Sequence, residues 1–231
     1  MTRSEIVVAL VVCGDRLQET LNLVKSALIF QLKNPLRIII LAEDNLIQSL
    51  EEKLSDWQVL RNHTFKFEIH NLKFPKGKEK DWKNLFKKCA AQRLFLPDIL
   101  SHIDSVLYMD IDTLFLGPVL EVWRHFYLMN ATQMAALVPE GEDVNSGWYS
   151  QYARHPYYGN TGVNSGVMLM NLTRMRSFGW VNYLGPIFKE FRTKIPWGDQ
   201  DIINIIFYYH PALAPLISGT PNFNQRRTLI Q

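Results

Sequence analysis

The chain has 231 residues, 47% hydrophobic and 20% charged. This length suits one domain with a substantial core, and the balance excludes an intrinsically disordered chain. A formal charge of +3 gives no argument for a nucleic-acid partner, and no apolar run is long enough to span a bilayer.

Residues 6–12 are β-branched and apolar and predict a central strand, with Cys13-Gly14-Asp15-Arg16 as the turn after it. Leu17, Leu21, Val24 and Leu28 recur at helical spacing, and Asn34-Pro35 breaks that helix. A second strand over 37–41, a helix over 46–57 and an alternating strand over 66–70 follow. Strands and helices alternating at this spacing indicate βαβ units: an α/β fold with a mostly parallel, Rossmann-like sheet and helices on both faces.

Most of the basicity lies in Lys73, Lys76, Lys78, Lys80, Lys83, Lys87 and Lys88, interrupted by Glu79 and Asp81. It reads as a solvated face, or as a rim attracting an anionic nucleotide. Residues 82–96 predict a helix closed by Pro97. Residues 105–115 are an apolar strand ending in Asp110-Ile111-Asp112. A turn at 116–118, a short helix over 119–127 and a strand over 134–138 come next. Residues 140–162 have no period but carry Trp148, Tyr149, Tyr152, Tyr157 and Tyr158, whose rings suit either sugar stacking or packing of the loop. A strand over 163–172 opens with Asn164-Ser165-Gly166. A helix over 180–191 carries Pro186 near an expected break, and a last helix starts at Asp199, its expected N-cap. No structure is expected from residue 211 onward.

The two cysteines, Cys13 and Cys89, do not make a disulfide framework and do not fix the compartment. Asn62-His63-Thr64, Asn130-Ala131-Thr132 and Asn171-Leu172-Thr173 match the glycosylation acceptor tripeptide, a weak pointer to a secretory lumen.

Two acids at a strand end resist burial together unless a cation joins them. A divalent ion with oxygen ligands, bridging nucleotide phosphates, answers that need; the plainer alternative is a turn-capping Asp. Asp199 read alone caps a helix, Asn164 turns the chain and Arg93 lies on a helix surface.

Asp110-Ile111-Asp112 after its strand, the run from Asn164-Ser165-Gly166 to Leu172, and Trp197-Gly198-Asp199-Gln200-Asp201, in that order, resemble glycosyltransferase family 8. Arg93 in Ala90-Ala91-Gln92-Arg93-Leu94 resembles the helix that precedes the family's metal strand. The resemblance implies a GT-A fold and a retaining transferase using a UDP-sugar. Asp110 and Asp112 would hold Mn²⁺. Cys13, Gly14, Asp15, Arg16, Arg93, Ile111, Asn164, Ser165 and Gly166 would join them around the donor. Asp199 and Gln200 would be the catalytic pair, Gln200 under the anomeric carbon, by front-side or double displacement. Residues 1–210 would form the GT-A domain, with a nucleotide-binding half over about 1–115, an acceptor-side half over 116–210 and an irregular tail over 211–231.

The wording of residues 11–16 and 157–164 resembles members that transfer xylose from UDP-xylose to O-linked glucose on EGF-like repeats, Notch included. Transfer from UDP-glucose or UDP-galactose is the alternative. The resemblance places the parent in the Golgi or endoplasmic reticulum lumen as a type II membrane protein, this chain being its soluble part. The family's third metal ligand is a late His in a Gly-containing motif, and His210 lacks that context. The chain therefore reads as truncated or alternatively ended, and a catalytically incomplete nucleotide-sugar or glycan-binding form stays open beside the enzyme.

Overall fold

The computed structural model describes residues 5–217 apart from 32–33, 76–78, 84, 86–88 and 142. The chain runs β1 (Ile6–Val12), α1 (Leu17–Ile29), β2 (Leu36–Ala42), α2 (Asp44–Leu60), β3 (Phe65–Asn71) and α3 (Glu79–Lys83). A 3-10 turn, Ala90–Phe95, leads through α4 (Leu96–Ile99) into β4 (Ser105–Met109). Then come α5 (Val119–Trp123), a second 3-10 turn (Arg124–Leu128), β5 (Ala135–Pro139), α6 (Trp148–Tyr152), β6 (Val163–Asn171), α7 (Leu172–Phe178), α8 (Trp180–Phe191) and α9 (Asp199–Tyr209).

The strands form one sheet in the order β3-β2-β1-β4-β6-β5. Pairs β1–β2, β2–β3 and β1–β4 are parallel, and β6 runs against both its neighbours. The expected mostly parallel sheet is therefore present. Every residue of β1 is buried, as a strand covered on both faces must be. The chain leaves β1 toward β2 and β3, then returns to β1's other side as β4. That reversal opens a crevice at the carboxyl ends of β1 and β4, the place where ligands bind in such sheets.

Several expectations change. The helix over 82–96 is broken, because Cys89 takes the left-handed conformation (φ 74°) and the chain restarts as a 3-10 turn. Pro97 does not close it but sits in the first turn of α4, where its missing N–H is harmless. Pro186 makes no break: α8 continues through it, held by buried Trp180, Leu184, Ile187 and Phe191. The long irregular stretch contains α6, and α7 was not foreseen. Residues 211–217 are structured, against expectation: Met134 N–H donates to Leu213 O and Ile217 N–H to Leu137 O, so this segment pairs along the outer edge of β5. The expectation for residues 218–231, and for Lys76, Lys78, Lys87 and Lys88, falls outside the described residues.

The two cysteines are bonded to each other, joining the turn after β1 to the start of the 3-10 turn. Spacing alone gave no sign of this, since 76 residues separate them.

Trp180 locks the 3-10 turn from behind. Its indole is 1% exposed and donates to Leu94 O at 2.9 Å. Trp180→Phe keeps the ring but strands that buried carbonyl, so urea unfolding should show a loss of about 1–3 kcal/mol.

Candidate functional site

A cavity of about 470 Å³ opens at the crevice, lined among others by Gly14, Arg16, Arg93, Asp110, Asp112, Asn164, Asp199 and Gln200. Cys13, Ile111 and Ser165 line it as well. Two anticipated residues do not: Asp15 is exposed to solvent beside it, and Gly166 contributes only backbone.

Arg93 is the centre. Its Nη2 lies 2.9 Å from Asp110 Oδ1 and its Nε 2.7 Å from Asp199 Oδ2. Nη1 donates to Ser165 O at 2.7 Å and Ser165 Oγ at 3.1 Å. The guanidinium also stands 4.6 Å over the Tyr108 ring, and the Tyr108 hydroxyl donates to Asp110 Oδ1 at 2.8 Å. Burial works against the arginine's charge, but Asp110 and Asp199 outweigh it and hold the pKa above its ordinary value. Burial pushes the Asp199 carboxyl up, against the pull of Arg93. Asp199 is thus not the cap that its position suggested: Gly198, at φ 58°, holds the N-cap position and the carboxylate is taken by Arg93.

The sheet makes Ser165 available. Leu137 of β5 pairs with Met168 of β6, but the next residue, Val138, pairs with Asn164. Ser165, Gly166 and Val167 are therefore out of register with β5, although Val167 stays paired with Met109 of β4, and this irregularity re-aims backbone groups there. Ser165 O then receives Arg93, while Ser165 N–H donates to Gln200 Oε1 at 3.1 Å. Gly166 N–H donates to Asn164 Oδ1 at 2.8 Å, and Gly166 O accepts from Asp110 N–H at 2.7 Å.

Glu140, just past β5, went unnoticed in the sequence although it lines the cavity. It accepts from Asn164 Nδ2 at 3.2 Å and from Gln200 Nε2 at 2.9 Å. Its place at a strand's carboxyl end was the available signal. On the opposite side, Gly14 N–H donates to Glu43 at 2.7 Å, and Arg16 reaches Asp112 Oδ2 at 3.6 Å and pairs with Glu19.

Asp110 and Asp112 offer only oxygen, the donor type that suits Mn²⁺ or Mg²⁺. Arg93 and Tyr108 both bind Oδ1 of Asp110. Oδ2 lies where a Cβ on residue 166 would come within 3.0 Å, so glycine there leaves that oxygen room. Among the described residues no cluster of three His, Cys, Asp or Glu forms. The pair fits a cation whose other positions are filled by ligand oxygens. His210 packs edge-on against Phe178 and Tyr183.

Of the acceptor tripeptides, Asn62 and Asn130 are exposed. Asn171 is half-buried and caps α7, accepting from Arg174 N–H at 2.8 Å.

A crevice at the switch point of such a sheet, with paired acids at the β4 end and a polar amide-rich wall opposite, defines the GT-A class of glycosyltransferase. The family profile bears this out: the description "Glycosyl transferase family 8" matches residues 7–216, and the chain belongs to that family. Glucoside xylosyltransferase 1 of Rattus norvegicus is 49% identical over 214 residues, covering 88% of this chain and 48% of the relative. Glucoside xylosyltransferase 2 of Xenopus laevis is 47% identical over 216 residues, covering 89% and 51%. The chain thus spans about half the length of the curated relatives it matches. Among solved structures, mouse xyloside xylosyltransferase 1 in its apo form superposes with a TM-score of 0.63 at 17% identity, covering 93% of this chain and 85% of that one. The galactosyltransferase LgtC, in complex with donor and acceptor sugar analogs, gives 0.65 at 17% identity, covering 91% and 73%. At such identities the likeness is one of fold.

Arg93→Met would leave the buried Asp199 without its cation. The expected loss of stability at neutral pH is about 3–5 kcal/mol, the penalty of an unpaired buried charge. Asp199 already has a raised pKa in the folded state, and removing Arg93 raises it further. The folded state then binds the proton more tightly than the unfolded chain. The deficit should shrink as pH falls through the folded-state pKa and grow as pH rises through it. Denaturant melts of variant and parent from acid to neutral pH check this.

Proposed function

We propose that this chain carries the catalytic core of a retaining glycosyltransferase that moves xylose from UDP-xylose to O-linked glucose on EGF-like repeats of the Notch type, with Mn²⁺. The observation that carries this reading is the single cavity in which Asp110 and Asp112 face Asn164, Asp199 and Gln200. The relatives' names favour a xylosyl donor over UDP-glucose or UDP-galactose. In this reading the halves divide near residue 115, nucleotide on the β1 side and acceptor toward β5 and β6.

The turn from Cys13 to Arg16 contacts the nucleoside, and Asn164 and Asp199 orient the sugar. Arg93 has Nε, Nη1 and Nη2 committed to Asp199, Ser165 and Asp110, so it acts mainly by keeping the acids charged and in place. Gln200 presents its amide oxygen beneath the anomeric carbon. Asp110 and Asp112 would hold Mn²⁺, which when bound would supply positive charge for the diphosphate leaving group.

A disulfide among the described residues supports an oxidising lumen such as the Golgi or endoplasmic reticulum. Asn62 and Asn130, both exposed, are open to glycosylation there, while Asn171 is less so. No described helix is long and apolar enough to cross a membrane; the type II anchor is part of the proposal for the parent protein. A second reading, a nucleotide-sugar or glycan-binding form of the same fold, draws on the two-carboxylate donor set; donor hydrolysis that depends on Asp110 rules it out.

Calorimetry with UDP should show Mn²⁺-dependent binding that weakens by about tenfold or more in Asp112→Ala, as expected for loss of a metal ligand. Binding indifferent to metal and to that change overturns the site. Product analysis with a panel of UDP-sugars and a glucosylated repeat peptide should give xylosyl transfer. Turnover of UDP-glucose with none of UDP-xylose overturns the donor assignment.

A further inference from the structure

Gln200 is held by a buried chain of hydrogen bonds whose polarity can be worked out atom by atom. Ser165 N–H lies 3.1 Å from one end of the Gln200 amide and can only donate, so that end is the carbonyl oxygen. The nitrogen end then donates to Glu140 Oε1 at 2.9 Å and to Tyr149 Oη at 3.2 Å. Tyr149 gives its own hydrogen to Asp201 Oδ1 at 2.9 Å, leaving its lone pairs for Gln200 and for Asn204 Nδ2 at 3.2 Å.

Asp201 is fully buried. Its Oδ2 accepts from Trp197 N–H at 2.7 Å, and its Oδ1 lies 3.2 Å from His155 Nε2. The other ring nitrogen of His155 lies 2.9 Å from Pro156 O. Both neighbours of the imidazole are acceptors, an environment that favours the doubly protonated ring, although Nε2 approaches Asp201 as an ion-pair contact without hydrogen-bond alignment. The side chains of His155 and Asp201 are each 0% exposed, so each charge is the other's compensation.

We propose that Tyr149, Asp201 and His155 are positioning residues for Gln200: the chain of bonds through them fixes which end of the Gln200 amide faces the cavity. This rests on the reading of Gln200 as the group beneath the anomeric carbon. An amide turned end for end would present N–H donors to a carbon that gathers positive charge, the wrong polarity for stabilising it. A flip would set donor against donor at Ser165, acceptor against acceptor at Glu140, and the carbonyl oxygen against the lone pairs of Tyr149, whose hydrogen Asp201 already takes. Tyr149 itself is clamped, since a Cβ on Gly162 would stand 2.6 Å from its ring.

The geometry carries a pH dependence. Burial opposes the charge on His155, but its bonds to Asp201 and Pro156 O win and hold its pKa above the ordinary imidazole value. The doubly protonated ring therefore persists below that raised pKa and is lost as pH rises through it, putting a lone pair against an acceptor. The titratable groups facing the ring or its partners are Asp201 from α9, Tyr149 from α6, Tyr157 against the Tyr149 ring at 5.3 Å, and Glu140 at Gln200. Burial pushes the Tyr149 phenol up and out of that range.

The test uses the full chain. Nitrogen-edited NMR across a pH series should show both ring nitrogens of His155 protonated to a higher pH than in a free imidazole, and a Gln200 side-chain amide with slowed exchange. Tyr149→Phe should erase that protection and lower kcat by about tenfold or more, a typical penalty for losing orientation of a reacting group, with the donor KM within about twofold. His155→Asn keeps an N–H toward Asp201 but does not titrate, so it should flatten the alkaline limb of the kcat profile. Should Tyr149→Phe fail to fold, the amide resonance is read in Asp201→Asn, where the same loss is expected. Unchanged amide protection and unchanged kcat overturn the proposal. Gln200→Ala separates the two ideas. If it turns over like the parent while Tyr149→Phe loses the amide signature, the catalytic reading fails and the positioning stands. If Gln200→Ala is inactive and Tyr149→Phe is normal in both readouts, the positioning fails and the site reading stands.

Discussion

The site depends on one buried cation. Asp110 follows β4 and Asp199 opens α9; Asp199 is buried and could not be left ionised without a cation, and Asp110, partly exposed, shares the same one. Arg93 lies between them at 2.9 and 2.7 Å and adds Ser165 of β6 through its third nitrogen. One side chain therefore ties the 3-10 turn, the end of β4, the bulged strand β6 and α9 into a single polar cluster. A lysine could not do this, since a point charge has no planar fork to meet three partners in fixed directions.

Placing that arginine requires the local chain to leave regular structure. Cys89 turns left-handed, the chain restarts as a 3-10 segment, and the disulfide to Cys13 holds the start of that segment against the β1 turn. Gln92, fully buried, binds Lys73 twice, accepting from its N–H at 2.8 Å and donating to its carbonyl at 2.6 Å. Trp180 holds Leu94 from the other side. Arg93 is fixed because its neighbours on both sides are fixed.

The strands, the parallel order and the acids at the β4 end were legible because each follows from a local pattern: β-branched runs, alternation with helices, and charge ending an apolar stretch. What could not be read depends on long-range partners. The helix expected over 82–96 has adequate helical residues, yet Cys89 is pulled into a backbone conformation that its bond across the crevice permits. Asp199 looked like a cap because caps are local, and its partner, Arg93, lies far away in sequence. Glu140 follows a strand end just as Asp110 does, but a single acid beside Gly141 carries no repeat or pairing to mark it. Pairing of residues 213–217 with the β5 edge is likewise a tertiary event in a stretch without periodicity.

The start of α9 sends three consecutive side chains to three different partners. Successive residues of a helix point about 100° apart, so Asp199, Gln200 and Asp201 cannot share a face. Asp199 faces Arg93, Gln200 faces the cavity wall at Ser165 and Glu140, and Asp201 faces Tyr149 and His155 in the long loop. Asn204, four residues beyond Gln200 and on its side, fastens the end of that loop that leads into β6, binding Tyr158 N–H and both backbone groups of Val163. The irregular loop is thus pinned by the same helix that supplies the cavity's floor. A shift of α9 would move the acid, the amide and the loop together, so the paired carboxylates of β4 face a wall that behaves as one body.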